Sequence, residues 1–382
     1  MLNLKVLSLL FIAAILVETA NAQTPNIKTV FIILMENHNW TGGKKGHNIK
    51  GSPDAPYINN TLLPMASHAE QYFNPPGIHP SLPNYLWLEA GTNFGILDDN
   101  PPSKDSQTTT QHLVTFLTSA GISWKAYEED ISGTVCPLTD FMSYAVRHDP
   151  FVYFDDVTNN QDPNSTNCIS HVRPYTELAT DLANNTVAPY NFITPNVCDD
   201  MHDRCKPLRN AIKQGDTWLS NNVPTILNSA AYQNGGALFI TWDEAGTGDG
   251  PIGMIVLSPF AKGGGYSNSI HYTHGSTLRT FQEIFGVLPL LGDAANETDL
   301  SDLFTTFPYW DTATSTRGWI APPSGAAVAT HCLLASPLMV SPEPAVLLRI
   351  AYCLPSSTIT ATCVLLMGGP QLSVTVQSGL TE

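Results

Sequence analysis

Apolar residues in this chain gather in short runs that stop abruptly in polar ones. The first lies in KTVFIILMENHNW (28–40), where Thr29 to Met35 carries Val, Ile and Phe without a charge and gives way to Glu36, Asn37 and His38. A run this short and this β-branched, with no alternation, predicts a strand buried on both faces, as in a parallel sheet. GGALFITWDEAG (235–246) repeats the design and stops in Asp243 and Glu244. NNTVAPYNFITPNVCDDMHD contains a third run, Tyr190 to Thr194, which opens into a loop bearing Asp199, Asp200, His202 and Asp203. PIGMIVLSPFAKGG reads as another strand closed by glycines. ISWKAYEED reads as one more, with an acidic end, Glu128 to Asp130, better explained as a solvated loop than as part of a site.

Helical spacing appears between these runs. TQHLVTFLTSAGISW, from Thr110 to Trp124, predicts an amphipathic helix closed by Gly121. HYTHGSTLRTFQEIFGVL predicts a helix starting near Ser276, with Leu278, Phe281, Ile284 and Phe285 on one buried face and His274 just before it. In GIHPSLPNYLWLEAGTN two prolines flank Ser81 and Leu82, and a short helix follows that Gly91 ends. KQGDTWLSNNVPTILNSAAY predicts a helix broken or begun at Pro224, and LLPMASHAEQY a short helix after the loop TGGKKGHNIKGSPDAPYINN. Residues 131–175 are irregular and read as an insertion or cap. Past Trp310 the pattern is lost. Residues 313–382 form a low-charge tail of small residues, Pro and Ser, for which disorder and an interaction segment both stay open.

Composition narrows the class. With 382 residues, 43% of them hydrophobic, the chain can bury a sizeable core. A formal charge of −16, from 17 basic against 33 acidic residues, argues against nucleic acid as a partner. Lys5, the apolar stretch Val6 to Val17 and Ala20-Asn21-Ala22 have the form of a secretory signal peptide over residues 1–22. The apolar run is short for a membrane span, which disfavours an uncleaved anchor. Export permits disulfides. Of seven cysteines, Cys136, Cys168, Cys198 and Cys205 lie in the main body and Cys332, Cys353 and Cys363 in the tail. Cys198 and Cys205 bracket DDMHDR and could staple that loop. The organisation expected is a signal peptide (1–22), one domain (23–312) and the tail (313–382).

Two buried strands that end in oxygen-bearing side chains could hold a hard cation between them. In open α/β sheets ligands bind beyond the carboxyl ends of the strands, which is where Glu36, Asn37, Asp243 and Glu244 fall. Ser81 at a helix mouth faces unpaired N–H groups that favour an alkoxide and a bound phosphate, though a plain N-cap uses serine equally well. His202, flanked by carboxylates, is a candidate proton donor or metal ligand, or an ordinary surface histidine.

Six stretches in order, ILMENHNW, HPSLPNYLWLEAG, FITPNVCDDMHD, ALFITWDEAG, PIGMIVLSPFAKG and YTHGSTLRTFQEIFG, resemble the secreted phosphoesterase family of acid phosphatases and bacterial-type phospholipases C. The resemblance runs from roughly Lys28 to Phe307. It implies an alkaline-phosphatase-like α/β fold, a mostly parallel central sheet flanked by helices. It also implies that Glu36, Asn37, Asp243 and Glu244 ligate metal. Ser81 is then the nucleophile and faces the metal. Asp200 and His202 lie at the site, with His202 touching phosphate or protonating the leaving group, and His274 is a further phosphate-side histidine. The chemistry agrees, because phosphoryl transfer needs positioning and neutralisation of charge on the non-bridging oxygens. A divalent ion (Mg, Ca, Mn or Zn) would supply both and help Ser81 form a phosphoserine that water hydrolyses. The expected function is hydrolysis of phosphate monoesters. A phospholipase C acting on phospholipid and a catalytically inactive secreted binding protein are the alternatives.

Overall fold

The computed structural model describes residues 27–311 and the strand segments 316–319, 360–365 and 372–377. The expected signal peptide and most of the tail, including Cys332 and Cys353, lie outside the described residues. Eight strands build one sheet: β1 Thr29–Met35, β2 Ser67–Phe73, β3 Trp124–Glu128, β4 Val172–Pro174, β5 Tyr190–Thr194, β6 Gly236–Trp242, β7 Met254–Leu257 and β8 Ser267–Thr273. Their order is β4-β3-β5-β1-β6-β7-β2-β8. β1 lies between β5 and β6, parallel to both, with Ile33 beside Ile193 and Ile240. Of the eight, only β7 runs against its neighbours β6 and β2. This is the α/β, mostly parallel architecture that the unbroken apolar runs predict, and β6 is buried along its whole length.

Among the described residues five α-helices have seven or more residues: α1 Ser81–Ala90, α2 Leu113–Ser119, α3 Leu178–Asn184, α4 Ala211–Leu227 and α5 His274–Phe285. Gly91 ends α1 with φ 68°, and an added Cβ there would meet the Leu291 carbonyl oxygen at 2.5 Å. Glycine is needed for both reasons. α5 starts in a capping box between Thr273 and Ser276. Its apolar face buries Leu278, Phe281, Ile284 and Phe285, and Phe281 packs edge-on to Phe239 of β6 at 5.0 Å and against Tyr190 of β5 at 5.6 Å.

Several local expectations are corrected. LLPMASHAEQY is not one helix: Leu63–Met65 is helical, but Ser67–Phe73 is β2, because β7 and β8 offer it hydrogen-bond partners on both sides. Pairing overrides a sequence with little β character. Pro224 neither breaks nor begins α4, which runs through it. It lies in the last turn, where it forgoes the bond to the Ser220 carbonyl but only three residues of helix follow it. β8 has no apolar signature, being an edge strand largely exposed over Ser267 to His271. Glu128 is buried, not solvated, and accepts a hydrogen bond from Thr194 Oγ1 at 3.0 Å.

The 131–175 segment is built of short helical pieces, the edge strand β4 and a disulfide between Cys136 and Cys168. In the C-terminal part, Pro308–Asp311 pairs antiparallel with Thr316–Trp319, and Thr360–Leu365 with Leu372–Gln377. The chain divides into two units, one through Pro322 and one from Pro323. No helix among the described residues is long and apolar enough to cross a membrane.

Candidate active site

Backbone bonds tie three strand ends together. The Asp243 N–H donates to the Met35 carbonyl at 2.9 Å, and the Glu36 N–H to the Asp200 carbonyl at 2.8 Å. Past β1 the chain turns through Asn37, whose φ of 41° is a left-handed conformation that asparagine tolerates. The turn aims the Asn37 N–H at Asp243 Oδ1, 3.0 Å away. Gly246 makes room for it: a Cβ there would fall 2.1 Å from the Asn37 carbonyl oxygen.

Glu36, fully buried, gathers the rest. Its Oε2 accepts from Ser81 Oγ at 3.0 Å, and its Oε1 from Tyr85 OH at 2.6 Å. Ser81 and Tyr85, one turn apart on α1, therefore grip the same carboxylate. The Asn37 amide faces Glu36 Oε2 and both oxygens of Asp243. Turned nitrogen-inward, it donates to them at 3.0, 3.0 and 3.3 Å. Turned oxygen-inward, it completes a cluster of oxygen donors from Glu36, Asn37 and Asp243 of the kind a hard cation takes.

On the other side of Glu36 is His148, from the irregular segment. Its Nε2 lies 3.3 Å from Glu36 Oε1, and its Nδ1 3.3 Å from Asp200 Oδ2. Neither Nε2 nor Oδ2 has a hydrogen-bond partner, although both are buried. Burial first, then the nearby Arg147 and His202, push the His148 pKa well below its ordinary value, so the ring is neutral. Glu36, His148 and Asp200 present ligand atoms within 4.8 Å of one another. A buried neutral imidazole set between two carboxyl groups offers a mixed nitrogen and oxygen donor set that a metal ion can take.

The electrostatics say the same. Burial, then the charges of Asp243 and Asp200, hold Glu36 well above the carboxylate range. Burial also raises Asp200 strongly, Asp243 to about 6, and Glu244 to about 9, the last with help from Asp243 and Asp99. The ion pairs of these four acids among the described residues are with histidines, not with lysine or arginine. Four crowded, desolvated carboxyl groups with no lysine or arginine paired to them among the described residues fit a site for a divalent cation.

The remaining expected residues fall in different places. Glu244 lies beside Asp243, but its Oε2 is held by His79 Nδ1 at 2.6 Å and Asn84 Nδ2 at 3.1 Å. His202 stands at the rim, half-buried, with Nδ1 2.8 Å from Asp203 Oδ1 and its backbone N–H 2.7 Å from Asp200 Oδ1. A disulfide, Cys198–Cys205, closes the loop that carries Asp200 and His202, as their positions suggested. His274 is different. It is fully buried at the first position of α5, with Nε2 2.5 Å from the Asp243 carbonyl and Nδ1 3.0 Å from Tyr72 OH. Both ring nitrogens are taken, so this geometry makes His274 a support for the Asp243 backbone in place of the phosphate contact expected of it. The mouth of α1 is also partly filled, since Asp99 Oδ1 accepts the Leu82 N–H at 3.0 Å.

Sequence reasoning missed His148 and Tyr85. Tyr85 was within reach, four residues from Ser81 on one helix. His148 carried no periodic signal in an irregular stretch.

The chain is similar to known phosphoesterases. The model of the Phosphoesterase family matches residues 65–288. A phosphatidylinositol-3-phosphatase of Mycobacterium tuberculosis is 28% identical over 75% of this chain and 86% of its own length. An acid phosphatase of Aspergillus fumigatus is 28% identical over 56% of this chain and 47% of its own, so the chain spans about half of that relative. Among solved structures, a protein in the alkaline phosphatase superfamily from Vibrio parahaemolyticus aligns with TM-score 0.46 and 10% identity, over 78% of this chain and 83% of the other.

Proposed function

The chain belongs to the Phosphoesterase family and is a hydrolase of phosphoric ester bonds, and from that premise we propose that it is a secreted, metal-dependent phosphomonoesterase of the acid phosphatase kind, with Ser81 as nucleophile. One observation carries the reading: the Ser81 hydroxyl donates to Glu36 in the middle of a buried, unneutralised group of carboxylates. Glu36, Asn37 and Asp243, with Asp200 and His148, are the residues that would hold the cation. Their oxygens suit Mg, Ca or Mn, and the imidazole admits Zn. A bound divalent ion would neutralise the phosphate and make the serine hydroxyl easier to ionise.

The chain's own groups do the rest. Glu36 Oε2 receives the Ser81 proton as Oγ attacks phosphorus. As the ester P–O bond breaks, His202, oriented by Asp203, protonates the departing oxygen. Water then attacks phosphorus, passing a proton to His202, while the Ser81 Oγ–P bond breaks and Oγ takes back the proton held by Glu36, releasing inorganic phosphate. Tyr85 and the Asn37 backbone fix the carboxylates throughout. Relatives named as acid phosphatase and phosphatidylinositol-3-phosphatase favour a monoester over the phospholipase C alternative. Two closed disulfides favour export.

Ser81→Ala tests the assignment: turnover of an aryl phosphate should fall by at least about 10³-fold with metal content unchanged. Ordinary activity in that variant would remove Ser81 from the chemistry.

A further inference from the structure

Beside the carboxylates lies a cavity of about 310 Å³, within the range of about 300–1,000 Å³ typical of small-molecule sites. It shares walls with the active site, since Asn37 and His202 line it, and its charge is opposite to that of its surroundings. Arg204 and Arg209 line it against a single carboxylate, that of Asp54. In a chain of net charge −16 with 17 basic residues, two arginines five positions apart on one wall are a local reversal of sign. Both are exposed at the cavity mouth and neither guanidinium has an ion-pair or hydrogen-bond partner among the described residues, which leaves them free to meet an anion.

Two further features point at the same space. The 17-residue helix α4 opens onto it: Asn210 caps the helix by accepting the Lys213 N–H at 3.1 Å, and Ala211 and Ile212 line the cavity with the positive end of the helix. His47 is on the wall, and its Nδ1 is buried without a partner. The loop bearing Arg204 is fixed by Cys198–Cys205, the disulfide that also fixes Asp200 and His202. His38 lines the cavity too, its ring set by the contact of Nδ1 with the Glu36 carbonyl oxygen at 2.8 Å.

We propose that this cavity is a second phosphate subsite, so that the enzyme prefers monoesters carrying a second phosphate group near the one removed, such as sugar bisphosphates. The inference rests on the phosphomonoesterase reading above. Arg204 and Arg209 take the distal phosphate by charge-assisted hydrogen bonds, and the helix end and His47 supply further N–H donors. The proximal phosphate meets Ser81. Because the distal group is not consumed, its binding energy positions the ester and raises kcat/KM.

The test measures kcat/KM of the metal-loaded full chain for phenyl phosphate and for fructose 1,6-bisphosphate, in wild type and in Arg204→Ala/Arg209→Ala. The expected result is a wild-type preference for the bisphosphate of at least about tenfold, lost in the double variant, with phenyl phosphate as the internal reference. Arg204→Lys/Arg209→Lys should recover part of it, which separates charge from folding. Hydrolysis of phenyl phosphate with no preference for the bisphosphate, or a preference unchanged in the double variant, overturns the subsite and leaves the monoesterase reading standing. If wild type hydrolyses neither compound, that reading fails and the subsite with it.

Discussion

Glu36 receives a serine, a tyrosine and the approach of a histidine on its two oxygens. A residue so placed is hard to replace without undoing several contacts, so His148 is the more informative target. It contributes an unpaired ring nitrogen and stacks flat on Tyr85 at 5.1 Å. His148→Ala should weaken metal binding by at least about 10- to 100-fold, measured by titrating the metal-free protein with Zn or Mn. Unchanged affinity would make His148 a packing residue only. At this scale the sequence was legible where chemistry sits at the end of a strong pattern. Glu36, Asn37, Asp243 and Glu244 follow uninterrupted strands, and Ser81 begins a helix with a marked stop. His148 follows nothing periodic, and the burial of His274 depends on Tyr72 and on the Asp243 backbone, neither of which its neighbours in sequence reveal.

Among the elements, the joint between α1 and α2 holds a second charged cluster, away from the chemistry. His112 is buried between Glu89 of α1, 3.3 Å from Nδ1, and Asp156, 2.9 Å from Nε2, and stacks on Phe154 at 3.8 Å. Burial alone would lower its pKa, but the bonds to Asp156 and Glu89 outweigh it and hold it above its ordinary 6.5. The folded chain therefore binds this proton more tightly than the unfolded one. The stabilisation is complete below the ordinary histidine range and is lost as pH rises through the raised value. Glu89, pushed up by burial, acts in the same direction above the carboxylate range, whereas the lowered Asp156 helps only above its own folded pKa and loses that on acidification. The Tm difference between wild type and His112→Asn should accordingly be wider near about pH 6 than near about pH 8.5. An equal difference at both would mean that the pair is not charged when folded. The elements that escaped sequence reading share a cause: β2 and β8 take their form from neighbours across the sheet, not from their own residues.

The whole molecule brings residues 36, 81, 148, 200 and 243 to one rim of the sheet, so loading the site and completing the fold are linked. Removal of metal by a chelator should lower Tm and abolish phosphatase activity, and returning a divalent ion should restore both, because a ligand that binds only the folded state stabilises it. Equal Tm with and without chelator would mean that the carboxylates stay protonated in place of binding a cation. The parallel architecture was readable because buried strands need no polar alternation, whereas the reversal at β7 was not, since an apolar run has no direction. That reversal has a lasting effect. It makes the stretch from Asp243 to Gly253 a hairpin with both feet sewn into the sheet, Thr241 beside Met254. Anchored at both ends, the bend holds its acidic pair, Asp243 and Glu244, in step with the end of β1, where Trp242 lies beside Met35.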